Sequence, residues 1–447
     1  MNNLLSYEAF LRELDTLRPS GEIRLGLERI RELLDRCGNP HVGLKNIIVA
    51  GTNGKGSVVA TLSNILKLAG YKVGTYISPH LCDIRERIMI DGCWIDKEAF
   101  VTLGSRILEM ARGMADIPTY YEIITAIAFS YFRETKVDIA VLEIGLGGRL
   151  DAVNVAYPLE AVITTIDFDH EHYLGSDIAS IASEKAGIIK ENVTVVLGEE
   201  KEEAVKVIEK VSSEKGAKLY RKGKDFDFQI KAFSLEKSLM DFKSDLSFLP
   251  DVELGLKGMY QFLNTSIAIE SALLLNDLGI RVSEKSIRDG VKSARWRARF
   301  DLFKYGEKMI IFDGAHNPHG MRALVSTLQH LFKDEDICFV FGVLKTKRYL
   351  EMLRELSKIA NKIIFTSTGA ESAVTVQELL DAFTSLEGIK EIPVVGVNSP
   401  STAFKEALAS KEKVVCVCGS LYLIGKILEE NFENRGANNS FQKRILV

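Results

Sequence analysis

Long apolar runs are missing from this 447-residue chain. No stretch approaches the ~18 uninterrupted apolar residues that a membrane-crossing helix needs, so no membrane span is expected. The first residues include Glu8, Arg12, Glu13 and Asp15, where a secretory signal would need an apolar core. Cysteine is scarce: six residues, Cys37, Cys82, Cys93, Cys338, Cys416 and Cys418, none in CxxC spacing. That pattern reads as neither a disulfide scaffold nor a thiolate metal site, and it suits a reducing cytoplasm. Charge of one sign is also lacking. With 57 Lys+Arg against 61 Asp+Glu, the net charge is −4, which leaves no electrostatic footprint for nucleic acid. The remainder, 46% hydrophobic and 26% charged, is an ordinary globular composition. The length allows two or three domains.

The most informative stretch is Asn46-Ile-Ile-Val-Ala-Gly-Thr-Asn-Gly-Lys-Gly-Ser57. Ile47 to Ala50 reads as a buried strand. Gly51 to Ser57 follows, and then Val58, Leu62, Ile65, Leu66 and Ala69 at helical spacing. Strand, glycine-rich turn and helix form the context of a phosphate-cradling loop. Glycine lets the backbone approach phosphate oxygens, and the helix start favours anions. The spacing departs from the usual pattern, because Gly56 follows Lys55 and Ser57 stands one place late.

Residues 1–45 read as helices around a Pro19-Ser20-Gly21 loop. A second strand, 72–77, ends at Ser78-Pro79-His80-Leu81, which puts Ser78 at a strand end beside the phosphate loop. A polar hairpin-like stretch at 87–92 and a helix at 97–113 follow. Thr119-Tyr120-Tyr121-Glu122 opens an apolar helix, 123–132. Strand 136–145 carries Glu143 in an otherwise apolar run; a buried carboxylate needs a cation. Gly145 to Asp151 reads as an active-site loop with no helix after it. Strand 161–166 delivers Asp167-Phe-Asp-His-Glu-His172, acids and histidines that suit a metal. A short helix, 181–190, carries Lys185. Residues 193–197 read as a strand, 201–215 as a charged helix, and 218–255 as an antiparallel excursion. Gln261 and Asn264 open a helix to about residue 278; they suit capping or reading a purine edge. A boundary near Ala294 precedes the basic linker Arg295-Trp-Arg-Ala-Arg-Phe300. From residue 309 to 430 strands and helices alternate, which predicts a second parallel-sheet domain. Its first strand ends in Asp313-Gly-Ala-His316-Asn317-Pro318, and the polar tail 431–447 is expected to fray.

The residues alone imply a two-domain α/β protein that binds a nucleotide phosphate and a hard divalent ion, with ATP and Mg²⁺ as default partners. They also resemble a known family. GTNGKGS (51–57), SPHL (78–81), RERI (85–88), TYYE (119–122), LEIGLGGRLDAVN (142–154), DFDHEHYLG (167–175), SEKAGIIK (183–190), DGAHNP (313–318) and GSLYLIG (419–425) are similar to folylpolyglutamate synthases and their bifunctional dihydrofolate synthase relatives, which are Mur-type amide ligases. The motifs run through most of the chain in the family's order.

The resemblance implies a P-loop-type, mostly parallel-sheet ATPase domain with the folate site over residues 1–295. A smaller Rossmann-like α/β domain is implied over 296–447. It assigns ATP to Thr52, Asn53, Gly54, Lys55, Gly56, Ser57, Asn264, Arg299, Asp313 and His316. It assigns Mg²⁺, at two sites, to Ser78, Glu143, His170 and an N-carboxylated Lys185, with a monovalent cation as an optional addition. It assigns the pteridine substrate to Thr119, Tyr120, Tyr121, Glu122, Leu150, Asp151 and Ala152, and catalysis to Lys55, Lys185, His170 and His316. The partners implied are folate or dihydropteroate, L-glutamate and ATP, with neither nucleic acid nor membrane, for a cytoplasmic monomer. The implied reaction joins L-glutamate to a folate or pteroate carboxylate through an acyl phosphate. One departure stands out: relatives carry Pro-Gly-Arg in the linker where this chain has Arg297-Ala298-Arg299. A muramyl-peptide ligase and a P-loop ATPase switch stay open as alternatives.

Overall fold

A computed structural model describes residues 6–17 and 23–433. The expected loop at Pro19-Ser20-Gly21, and the expected tail from residue 434 on, lie outside the described residues. The first layer of the chain is an eight-stranded sheet. Its strands are β1 (Asn46–Ala50), β2 (Val73–Tyr76), β3 (Ile88–Ile90), β4 (Cys93–Trp94), β5 (Ile139–Glu143), β6 (Glu160–Ile163), β7 (Thr194–Leu197) and β8 (Lys218–Arg221). Their order is β4-β3-β2-β5-β1-β6-β7-β8. The run β2-β5-β1-β6-β7-β8 is parallel throughout, and the β2–β3 and β3–β4 pairs at one edge are antiparallel.

Both faces of this sheet are covered, so its central strands are apolar throughout rather than alternating. Ile47, Ile48 and Val49 are all 0% exposed, and each contributes roughly 1.5–3 kcal/mol by leaving water. A charged side chain in the same row forfeits that gain, which singles out Glu143 at the end of β5.

Three strands follow, β9 (Phe226–Phe233), β10 (Ser238–Ser244) and β11 (Phe248–Glu253), as a separate antiparallel sheet. The expected excursion over 218–255 therefore starts later than its pattern suggests. Lys218–Arg221 joins the main sheet as its edge strand. An edge strand is half exposed, so it lacks the continuous apolar run of its neighbours. The helix Gln261–Leu274 packs beneath, followed by a helix at Glu284–Ser293 that the sequence pattern did not reveal.

The third sheet contains β12 (Asp301–Tyr305), β13 (Lys308–Phe312), β14 (Ile337–Phe341), β15 (Lys362–Phe365), β16 (Val394–Gly396) and β17 (Val414–Cys418). They are ordered β12-β13-β17-β14-β15-β16 and parallel except for β12. The antiparallel β12 comes out of the basic linker and was not expected. Local signals set the helices that approach the site. Thr119 and Glu122 form a capping box that starts the helix Tyr120–Glu134, three residues before its expected start. Asn317 caps Pro318–Leu331, with proline in the first turn. The polar stretch expected as a hairpin at 87–92 begins as a 3₁₀ turn, Ile84–Arg87, that feeds the β3–β4 hairpin. Among the described residues no helix is long and apolar enough to cross a membrane.

Candidate active site

Parallel strands deliver their carboxyl ends to one side of a sheet, where open α/β folds bind ligands. The ends of β1, β2, β5 and β6 lead into the phosphate loop, Ser78, Glu143 and the 164–170 segment. Those of β13 and β14 lead into Asp313–Asn317 and the 342–348 loop.

The phosphate loop is shaped by what its glycines allow. Gly51 has φ +147, and a Cβ there would lie 1.8 Å from Thr164 Oγ1; Gly54 has φ +91, and a Cβ there would lie 2.3 Å from Asn264 Oδ1. Asn264 thus closes over the loop, held by its amide donating to Gln261 Oε1 at 2.9 Å. Ser57 is 1% exposed and accepts from Gln261 Nε2 at 3.1 Å, so the late serine of the motif is packed inward. Gly56 lies against the indole of Trp296. Thr52 exchanges hydrogen bonds with the backbone of Asp167, 3.0 Å each way. The Lys55 ammonium donates to the carbonyls of Gly51 and Thr52 at 2.9 and 3.1 Å. Burial lowers its pKa, while Glu143 and Asp169 oppose that.

Glu143 is 4% exposed and accepts from the backbone N–H of Ser78 at 3.2 Å. Burial raises its pKa; Lys55, the Ser78 amide, Arg299 and Arg87 pull it back. Lys185 is 3% exposed, and its ammonium makes no hydrogen bond or ion pair among the described residues. Burial, with Lys55 nearby, brings its pKa down to about 7. The helix that bears it is pinned to the 145–151 loop through Arg149, which donates to Glu184 Oε1 at 2.7 Å. His170 sits at φ +51 as the residue before a one-turn helix. Burial and the cation of Lys347 bring its pKa down to about 4. Among the described residues no three His, Cys, Asp or Glu side chains converge as a metal cage; of the four expected Mg²⁺ ligands only Glu143 and His170 are of those types.

The two sheet units meet through Asp169. Its carboxylate accepts from Lys347 Nζ at 2.5 Å and Asn317 Nδ2 at 3.0 Å, and faces His316 Nε2 at 3.4 Å. Burial is overcome by these donors, which hold Asp169 well below the usual carboxylate range. Asn317 also exchanges amide hydrogen bonds with Asn53 of the phosphate loop, at 3.1 and 3.2 Å. Arg348 clamps Glu171 beside them. Asp313 is 4% exposed and fully bonded: it accepts from the Tyr260 hydroxyl at 2.5 Å and from the amides of Phe300 and Ala315 at 2.9 Å each. Arg299 lies close enough to act on its charge. The linker departure has a visible consequence here. Ala298, where the resemblance expects glycine, is buried at φ +56.

The expected substrate residues divide. Glu122 caps its helix and pairs with Arg29 at 3.1 Å, both buried. Asp151 accepts from the amides of Gly145, Leu146 and Val153 and from Tyr121; burial pushes its pKa up to about 6. Ala152 is 3% exposed. These hold the local fold, as does Thr119 by capping. Tyr120, Tyr121 and Leu150 keep part of their surface open. Loop 145–151 does run into helix, contrary to expectation, but only a 3₁₀ turn, Ala152–Val155.

Sequence reasoning missed Lys347, Tyr260 and Arg87 as members of this cluster. Position at the end of β14 could have found Lys347. Tyr260 gives no signal, since a tyrosine before an apolar helix reads as core.

Comparison with known proteins accords with this geometry. Residues 49–272 match the Mur ligase middle domain, and residues 298–421 the Mur ligase glutamate ligase domain. The dihydrofolate synthase/folylpolyglutamate synthase of Bacillus subtilis is 35% identical over 414 residues, spanning 91% of this chain and 94% of that protein. The solved Escherichia coli FolC in complex with DHPP and ADP is 32% identical, with a TM-score of 0.86 over 97% of this chain and 99% of that one. The Yersinia pestis bifunctional folylpolyglutamate synthase/dihydrofolate synthase, complexed with AMPPNP and a Mn ion, is 30% identical, with a TM-score of 0.82 over 95% of this chain and 98% of that one. The chain belongs to the Mur ligase family, in its branch of dihydrofolate synthases and folylpolyglutamate synthases.

Proposed function

We infer that the chain is an ATP-dependent amide ligase that adds L-glutamate to the carboxylate of a folate, releasing ADP and phosphate. Dihydropteroate is a second acceptor of the same chemistry. The observation that carries this reading is the meeting, at the ends of adjacent strands, of the Lys55 loop with buried Glu143 and its Ser78 partner.

The phosphate loop and the first-turn amides of helix Lys55–Leu68 bind the phosphates, and Lys55 turns from its own loop carbonyls to the phosphoryl being moved. Ser78, Glu143, His170 and a carbamate on Lys185 would hold divalent metal. The donor set fits: a buried carboxylate that makes no ion pair among the described residues, and a buried amine with no partner that burial keeps ready to take up CO₂. Bound metal supplies charge neutralisation at the phosphoryl oxygens. One oxygen of the acceptor carboxylate bonds to the γ-phosphorus as the bond to ADP breaks, the electron pair staying with ADP. The glutamate nitrogen then bonds to the acyl carbon, and phosphate leaves with the C–O pair. His316, which burial keeps neutral, takes the ammonium proton, and Asp169 steadies the charge it gains.

Glutamate-dependent ADP release, measured with tetrahydrofolate, dihydropteroate and a UDP-muramyl peptide, tests this. Release is expected with pteridines only. Release with the peptide alone, or ATP turnover without glutamate, would overturn it.

A further inference from the structure

One cation of the site has no role in the chemistry above. Arg87 ends the 3₁₀ turn Ile84–Arg87 and is 8% exposed. The other buried arginine among the described residues is paired: Arg29, also 8% exposed, has Glu122 at 3.1 Å. Arg87 makes no ion pair among the described residues. Its Nε donates to His80 Nδ1 at 2.9 Å, and its guanidinium carbon lies 5.9 Å from the centre of the Tyr120 ring. A buried guanidinium without an anion is unfavourable, and an arriving carboxylate would reverse that.

The surroundings say which carboxylate. His80 belongs to the segment after β2 that begins with Ser78. Tyr120 opens the helix assigned to the pteridine side. Glu143, on the phosphate side, feels the charge of Arg87, as do Tyr76 and Tyr121. The guanidinium therefore stands between the acceptor region and the phosphoryl-transfer region. With Nε held by His80, the Nη1–Nη2 fork remains, and its planar geometry matches a carboxylate.

The geometry points to Arg87 as the residue that grips the reacting carboxylate of the folate or pteroate acceptor, with His80 as its positioning residue. The assignment rests on the function proposed above. One carboxylate oxygen attacks the γ-phosphorus, and the P–O bond to ADP breaks with its electrons on ADP. The other oxygen stays on Arg87 as the acyl carbonyl oxygen. When the glutamate nitrogen adds, that oxygen carries the negative charge until phosphate leaves with the C–O electron pair.

Binding of dihydropteroate and of its carboxamide analogue, measured by calorimetry on the full chain, tests the assignment. Wild type should prefer the acid. Arg87→Ala should weaken the acid on the order of 10- to 100-fold, the worth of a charged hydrogen-bonded pair, while moving the amide and the KM for ATP less than about 3-fold. Arg87→Lys, which keeps charge without the fork, should fall between and covers the case in which the alanine variant does not fold. Equal weakening of acid and amide in either variant marks a merely structural arginine and overturns the assignment, as does unchanged affinity for the acid. A wild type that turns over with glutamate yet does not prefer the acid also overturns it. A wild type that releases no ADP with any pteridine overturns the proposed function instead, and this assignment with it.

Discussion

Glu160 should make this protein lose stability as pH rises through neutrality. It opens β6, is 0% exposed, and neither of its oxygens has a partner at good hydrogen-bond geometry. Burial pushes its pKa from 4.5 to about 8; the Ser271 hydroxyl opposes this and Glu270 adds to it. Glu270, on the helix packed below, is itself raised to about 7 by burial, with Asp225 and Asp245 contributing and Ser244 opposing. The fold thus favours a protonated Glu160, while the unfolded chain ionises it above its ordinary value. Its contribution to stability is complete below pH 4.5 and disappears by about pH 8. Each pH unit costs about 1.4 kcal/mol, so roughly 3 kcal/mol is lost by pH 7. Glu160→Gln keeps the shape of the neutral acid without the titration. The variant should match wild type near pH 4 and exceed it by roughly 3 kcal/mol at pH 7. Urea unfolding followed by tryptophan fluorescence is a suitable assay. The only tryptophans, Trp94 in β4 and Trp296 against Gly56, both report on the unit that contains Glu160. Parallel pH profiles for variant and wild type between pH 5 and 8 would refute the reasoning.

Gly54→Ala should strain the phosphate loop by roughly 1–2 kcal/mol through its left-handed φ alone, and further by driving a methyl into Asn264. The KM for ATP should rise on the order of 10-fold, with far-UV circular dichroism unchanged; an unaltered KM would mean the loop tolerates the clash. Lys185 should take up label from ¹³C-bicarbonate, seen as a carbamate carbon by NMR and absent in Lys185→Arg; an unlabelled wild type would remove the carbamate from the metal site. Lys55→Ala should lower glutamate-dependent ADP release at least on the order of 100-fold, and full retention would sink the assignment of the loop. Ala298→Gly should be close to neutral. Relief of about 1–2 kcal/mol of left-handed strain is offset by roughly 0.4–1 kcal/mol of unfolded-state entropy and about 0.8 kcal/mol for the lost buried methyl. Thermal denaturation displaced by more than about 4 °C would show that one of these effects dominates.

The strand-end residues were legible because parallel sheets announce themselves. Ile47 to Ala50 and Ile139 to Leu142 are apolar on both faces, so the polar residue that ends each run draws the eye, as Glu143 did. The capping signals at Thr119 and Asp177 went unread, so the helices they cap start three residues before their expected starts at 123 and 181. What was hidden depends on contacts distant in sequence. Lys347 reads as one lysine among several in a polar loop until Asp169, 178 residues away, is brought against it. Glu122 and Asp151 looked like groups for a ligand, yet Oε2 of Glu122 and both oxygens of Asp151 are engaged within the fold. Edge strands such as Lys218–Arg221 escape because one side of them is water. Ala298 could not have been read as left-handed from its own identity, since nothing about alanine asks for that conformation.

The amide pair between Asn53 and Asn317 has a thermodynamic corollary. Asn53 belongs to the loop proposed to meet phosphate, and Asn317 caps the first helix of the second sheet unit. A ligand that displaces Asn53 therefore alters the free energy with which the two units hold each other. Reciprocity requires that closing the units alter the affinity for that ligand by the same factor. Nucleotide affinity and interdomain affinity in this protein are one coupled quantity, and a substitution at Asn317, outside the phosphate loop, should be detectable as a change in nucleotide dissociation constant.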